Sequence, residues 1–276
     1  MHRIIVGSLA LLSLAASGVT ARADPAQQVM GWNGWYAGTN FGYGWGRSGT
    51  SASFFDNFNN VTPGPVLLTS RGTIDVDGVI GGLQFGRNWQ NGNWIWGIEA
   101  DIQASGQKGS RAFTCPAANC ASAGVNTDLT AATANENQKL DWFGTLRARL
   151  GAPTSPTTMS YVTGGLAYGR VKTSDLLVNT GTAALLVSTC PGPTCPSPPT
   201  AGNGTKTGWT VGTGAEQRLF GGWSGRIEYL FVNLGRTHSS GIFPTGNVTS
   251  NSVPIQVNLS SKITDHVLRL GLNYQY

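Results

Sequence analysis

Ionisable side chains of both signs recur at short, regular spacing along the chain: Glu99 and Asp101, then Asp141, Arg147 and Arg149, then Glu216 and Arg218, Arg226 and Glu228, and finally Arg269. In an extended chain positions i and i+2 share a face, so these five acids and five bases are expected to converge on one surface. Opposite charges in equal number can do two things there. They can hold one another as a paired polar core, or they can line a narrow path for a solute or an ion. Acid–base catalysis is not expected, because beyond His2 the chain offers only His238 and His266. Asp265 adjoins His266, but neighbours in a strand point to opposite faces unless a bulge intervenes. No catalytic residue is therefore assigned. Gly78 to Gly86 and the Gly164-Gly165 pair lack the following helix of a phosphate loop, and no motif calls for a cofactor.

The cysteines form two local pairs, Cys115 with Cys120 and Cys190 with Cys195, each with four residues between in segments rich in Pro, Ala and Ser. Two small disulfide loops suit an exported chain; a four-thiolate zinc site is the alternative. No metal is assigned. Three connectivities are formally open.

The elements that must position these groups follow from composition. Of 276 residues only 31 are charged, while 39 are Gly and 26 are Trp, Tyr or Phe. Disorder needs the reverse balance. A soluble domain usually carries about a quarter charged residues, so 11% implies that much of the surface does not face water. Beyond the first two dozen residues no apolar run reaches the roughly 20 residues of a membrane-crossing helix. Alternating strands are the remaining way to cross.

The N-terminus predicts export. His2 and Arg3 precede an apolar stretch from Ile4 to Ala16, and Ala21-Arg22-Ala23 gives an A-x-A cleavage pattern before Asp24. Residues 1–23 read as a cleaved signal peptide, with a membrane anchor as the alternative, 24–34 as a periplasmic segment, and 35–276 as the folded domain. Removing Arg3 and Arg22 leaves 16 basic against 13 acidic residues, a net charge of about +3 rather than +5. With no basic run in the chain, nucleic acid is not an expected partner.

Eight stretches alternate with a period of two: 35–47, 77–90, 94–105, 138–150, 159–171, 207–219, 223–234 and 264–276. Trp35, Phe41, Tyr43 and Trp45 line one face of the first, with glycines and Asn40 opposite; Leu140, Trp142, Leu146 and Leu150 oppose Asp141, Arg147 and Arg149 in the fourth. The connections alternate long and short: 48–76, 91–93, 106–137, 151–158, 172–206, 220–222 and 235–263. All long loops then fall at one end. That is the layout of an all-β, eight-stranded antiparallel transmembrane barrel with long extracellular loops and short periplasmic turns. An interior of this size is just wide enough for side chains to fill, so the ten charges are expected to pair inside it, with a narrow conducting path as the alternative.

The last residues, Arg269-Leu270-Gly271-Leu272-Asn273-Tyr274-Gln275-Tyr276, resemble the C-terminal assembly signal of bacterial outer-membrane proteins, carried here by Arg269, Gly271, Tyr274 and Tyr276. The resemblance implies the barrel-assembly machinery and periplasmic chaperones as partners. The segments Trp32-Asn33-Gly34-Trp35-Tyr36-Ala37-Gly38, 78–86, 142–151, 161–169, 208–216 and Glu228-Tyr229 resemble the small porin-family barrels of alphaproteobacteria, the group of the Brucella and rhizobial 25/31-kDa outer-membrane proteins. That resemblance implies an envelope-integrity and surface-interaction role in the outer membrane, beside lipid and lipopolysaccharide and facing host or environmental ligands. Some relatives in the group are described as weak pores or haem binders, so a small-solute channel or a haem-binding loop is the second expectation.

Overall fold

The computed structural model describes residues 31–56, 66–115, 132–179, 202–243 and 255–276. The proposed signal peptide 1–23, residues 24–30 of the next segment, and Cys120, Cys190 and Cys195 lie outside these residues. Cys115 is described only in its backbone, at the end of a strand.

Among the described residues nine antiparallel segments form one closed sheet: β1 (Gly34–Asp56), β2 (Val66–Asn91), β3 (Trp94–Ser105), β4 (Lys108–Cys115), β5 (Ala132–Pro153), β6 (Thr158–Asn179), β7 (Gly202–Arg218), β8 (Trp223–Phe243) and β9 (Ile255–Gln275). β1 pairs both β2 and β9, which closes the ring. β3 and β4 both lie between β2 and β5 and make one interrupted strand. The barrel therefore has eight walls. The break at Gly106 and Gln107 lies opposite Asp141, where the register between β5 and β6 slips by one residue.

The closure follows from alternation. Phe41, Leu83, Leu166 and Leu270 stand outward and are each more than 60% exposed, which no water-facing sheet would tolerate over a whole wall. Two aromatic girdles bound this surface. Trp35 with Phe85, Trp89 with Trp96 and Trp223 with Tyr274 mark the short-turn end; Trp45 with His266, Trp142 with Tyr168 and Trp209 with Phe231 mark the other. Trp35 and Trp45 lie ten residues apart on one strand. At about 3.3 Å per residue and a tilt near 40° that separation spans about 25 Å of height, the thickness of an outer-membrane apolar band.

Two expectations need correction. The strands run well past the alternating cores, so much of 48–76, 106–137, 172–206 and 235–263 is not loop: β1 has 23 residues and β2 has 26, against the 9–11 or so that cross a bilayer. The slip at Asp141 also changes the face of what precedes it. Leu140, expected toward lipid with Trp142, is 5% exposed and faces the interior.

Candidate functional site

The interior is built in layers. At the short-turn end the chain enters through Trp32, which packs with Ile95, Met159 and Tyr161. Its backbone N–H donates to Gln90 Oε1 at 2.8 Å, and the Arg218 guanidinium lies 4.4 Å from its ring centroid. Arg218 Nη2 also donates to Gly31 O at 2.8 Å and to Gln275 Oε1 at 3.0 Å. Arg218 thus points inward but ties the mouth together, apart from the central charges.

Above this plug lie four acids and four bases. Arg147 Nη1 donates to Glu228 at 3.0 Å and Nη2 to Asp101 at 3.0 Å, and Nη2 also meets Glu99. Arg269 donates from Nε to Glu228 at 2.7 Å and from Nη2 to Asp101 at 2.9 Å. Arg226 reaches both oxygens of Glu99 and the amide oxygen of Gln84. Arg149 Nη2 donates to Glu216 at 2.8 Å while Nη1 donates to the Tyr36 hydroxyl at 2.7 Å, which in turn donates to Glu99 at 2.6 Å. None of these eight charged residues is more than 4% exposed. Their formal charges cancel, the condition under which ions persist out of water.

The carboxylates are satisfied in more than one direction. Asp101 also accepts from the Thr145 backbone N–H and hydroxyl, Glu216 from Ser224 and Asn273, and Glu228 from the Tyr161 hydroxyl. Arg149 lies 3.9 Å from the Tyr161 ring centroid. Tyr36, Gln84, Tyr161 and Asn273 were not singled out in the sequence, although each shares the inward parity of a charged neighbour or of a glycine face. Parity counting carried past the charges would have found them.

Asp141 is not in this layer. Displaced at the slip in β5, it pairs with Lys139 at 3.2 Å and Lys172 at 2.5 Å. The hydrogen bond from Lys172, with a second from Lys139, holds its carboxyl below the usual range against a small burial penalty. The inward sites given to it and to Arg218 in one network are therefore corrected to the outer rim and the inner mouth.

Two residues further out along the walls the lining turns apolar. Ile80, Phe143, Leu230, Val232 and Val267 form a buried cluster with Leu140 and Ala167, and Phe143, Leu230 and Val267 have no exposed surface. Beyond it the interior is polar again: Gln107 Nε2 donates to Asp265 Oδ1 at 2.9 Å, and Thr50, Ser261, Glu136 and Gln138 share a hydrogen-bonded chain. Asp265 is thus inside and 3% exposed, while His266 stands on the outer wall with Nδ1 2.6 Å from the Tyr229 hydroxyl. The two cannot act as a dyad.

The residues that resemble an assembly signal separate by parity. Arg269 is buried in the charge layer, Gly271 abuts it, and Tyr274 and Tyr276 are exposed outward at 43% and 66%. A Cβ on Gly271 would stand 2.9 Å from Arg226 Cγ and 3.0 Å from Gln84 Nε2, so the network itself requires glycine there.

The chain is similar to several known proteins. The chain is 33% identical over 287 residues to a 31 kDa outer-membrane immunogenic protein of Brucella melitensis, with the whole of both chains covered. A 22 kDa outer membrane protein of Rhizobium leguminosarum is 30% identical over 154 residues, covering 55% of this chain and 52% of that one. Among solved structures, the outer membrane protein OprG from Pseudomonas aeruginosa aligns over 88% of this chain and 97% of its own, at 11% identity and a TM-score of 0.44. The family profile described as the outer membrane protein beta-barrel domain matches residues 8–275, and the chain belongs to that outer-membrane family.

Proposed function

We propose that the protein is a closed, non-conducting barrel that contributes to envelope integrity and presents its long outer hairpins at the cell surface. One observation carries this reading: a paired charge layer and a cluster of buried apolar side chains from β2, β5, β6, β8 and β9 lie one above the other in the interior. A passing ion would have to break ion pairs at the first and shed its water at the second. The relative named as an immunogenic outer-membrane protein supports display at the surface. On this reading the chain is exported by its N-terminal signal, delivered by periplasmic chaperones, and inserted by the barrel-assembly machinery through its last strand. The cysteine pairs close outside the membrane as local disulfides.

The test is solute flux. Liposomes carrying the refolded protein should swell in small sugars no faster than empty liposomes, while a known porin in parallel swells them readily. Swelling at a rate set by solute size would overturn the closed-barrel reading in favour of a small-solute channel. A haem titration, unchanged between wild type and His238→Ala, removes that histidine from ligand binding.

A further inference from the structure

Above the outer girdle the walls of the barrel part into two sheets. The ladder between β7 and β8 stops at Trp209 opposite Asn233. Yet β7 extends up to Gly202, still paired to β6, and β8 runs on to Phe243, still paired to β9. The cause is local. β8 slips by one residue against β9 between Asn233 and Gly235, where Gly235 has a left-handed φ of 78°, and a bulge of this kind bends its strand and ends pairing. A second seam lies between β2 and β4, which pair only at Asp77 opposite Lys108, while β2 follows β1 to Val66 and β4 follows β5 to Cys115. Among the described residues the outer part is therefore one sheet of β8, β9, β1 and β2 and another of β4, β5, β6 and β7.

An unpaired strand edge offers backbone donors and acceptors to any extended chain, and natural proteins blunt such edges with charges, glycine, proline or a covering group. Most of the edges here are blunted. Across the β2/β4 seam Arg111 Nη1 donates to Thr73 O at 3.0 Å, and its guanidinium occupies the place that a Cβ on Gly72 would need. The β7 edge carries Gly202, Gly204 and Gly208, with Lys206 on the inward parity of buried Thr210, and the tip of β6 beyond Thr173 carries the acid Asp175. β8 differs. Past Arg236 it runs to Phe243 with no proline, lysine or acid, and no described side chain bridges it to β7. Successive residues of a strand turn their N–H and C=O to opposite sides, so about half of Arg236–Phe243 presents both groups to the seam.

Charge selects the occupant. Arg236 and Lys262 stand opposite each other in register on β8 and β9, both exposed and without an ion pair among the described residues, and Lys206 lies across the seam on β7. No acid occurs in 202–210, 234–243 or 255–264. Arg47 and Arg71 continue the basic face over β1 and β2, where Arg47 lies 3.6 Å from Asp75. A second barrel in the same membrane cannot supply the strand: with a tilt of about 40°, two copies of β8 related by a two-fold axis along the membrane normal cross at about 80°, too steep for a ladder.

We infer that β8 between Arg236 and Phe243 takes up an acidic, extended polypeptide from the medium as an added strand, with its backbone hydrogen-bonded to this edge and its outward carboxylates beside Arg236 and Lys262. The inference rests on the reading that the outer hairpins face the medium and is independent of the lumen. Solute flux is blind to this edge, so the closed barrel and the added strand can each fail alone.

The experiment is hydrogen exchange with mass spectrometry on the refolded full chain in detergent micelles, with affinities from the anisotropy of labelled peptides. The probes are a peptide of alternating glutamate and threonine, its lysine and threonine counterpart, and the glutamate peptide methylated at every backbone nitrogen. The glutamate peptide should slow exchange within 236–243 and leave 202–208 and 66–76 unchanged. The lysine peptide should bind at least about tenfold more weakly, and the methylated peptide should not bind. Arg236→Ala with Lys262→Ala should weaken binding about fivefold, the loss of two exposed ion pairs, while Lys139→Ala with Lys172→Ala, on the other sheet, should change it less than about twofold. Both double variants lie outside the buried interior, and heat-modifiable gel migration verifies that they fold. Equal binding of the methylated peptide, protection at another edge, or no protection by the glutamate peptide overturns the assignment. Protection of 236–243 that grows with protein concentration in the absence of peptide also overturns it, in favour of a second copy of the chain.

Discussion

Arg147→Ala is the sharpest perturbation of the charge layer. Arg147 bonds three carboxylates, Glu99, Asp101 and Glu228, and no part of its side chain is exposed. Its removal leaves four buried acids facing three bases. Breaking a buried pair by deleting one partner costs about 3–5 kcal/mol, chiefly because the remaining charge is left uncompensated. With a denaturant slope of about 2–3 kcal/mol per molar in urea, the unfolding midpoint should fall by about 1–2 M. Refolded protein in lipid vesicles, followed by tryptophan fluorescence, measures this. Lys139→Ala is the reference, since it breaks a pair whose lysine side chain is 54% exposed and should cost less than about 1 kcal/mol. Adding Glu228→Gln to Arg147→Ala restores equal numbers of either sign and should recover at least about 1 kcal/mol. An Arg147→Ala loss below about 1 kcal/mol, indistinguishable from that of Lys139→Ala, would refute the argument, because it would mean that water already screens these ions.

Other positions give further expected outcomes. Phe143→Ala should cost about 3–5 kcal/mol in the same unfolding assay, the usual penalty for emptying a buried aromatic site. Gly271→Leu should destabilise by about 1–3 kcal/mol through overpacking against Arg226, and the loss should persist in protein refolded without any assembly factor, which separates packing from signal recognition. For Asp141, whose folded pKa is depressed, the stabilisation relative to Asp141→Asn is present above the ordinary carboxylate value and vanishes as pH falls through the lower folded one. Thermal unfolding of the two proteins should therefore differ at pH 7 and converge well below about pH 4.

The lipid face was legible because one physical demand dominates it: every outward side chain between the girdles must tolerate hydrocarbon. Trp35, Leu83, Ile98, Leu146, Val162 and Leu270 all stand where alternation puts them. The interior was harder to read for two reasons. Parity breaks wherever one residue is inserted, and the slip at Asp141 moved Leu140 inside and Asp141 out. Inward apolar residues such as Phe143 and Leu230 also fit no polar-lumen pattern, so the apolar layer was invisible until the walls were set in register. The outer extension of the strands escaped for a third reason. Segments such as Ser48 to Ser53 are small and mostly polar on both faces, so their alternation carries no hydrophobic signal.

The outer cations Arg47, Arg71, Arg236 and Lys262 escaped because they are scattered over four strands. They meet only when β8, β9, β1 and β2 are aligned. The low charge of the chain takes its meaning from this division. Eight charges cancel in one interior layer, and the apolar belt between the girdles is nearly bare.

The closed interior is the central claim, and single-channel recording in a planar bilayer tests it most directly. Wild-type protein inserted at known density should give no stable openings in most insertions, at either polarity and in high salt. Reproducible conductance steps of uniform size from the folded, heat-modifiable species would contradict the account.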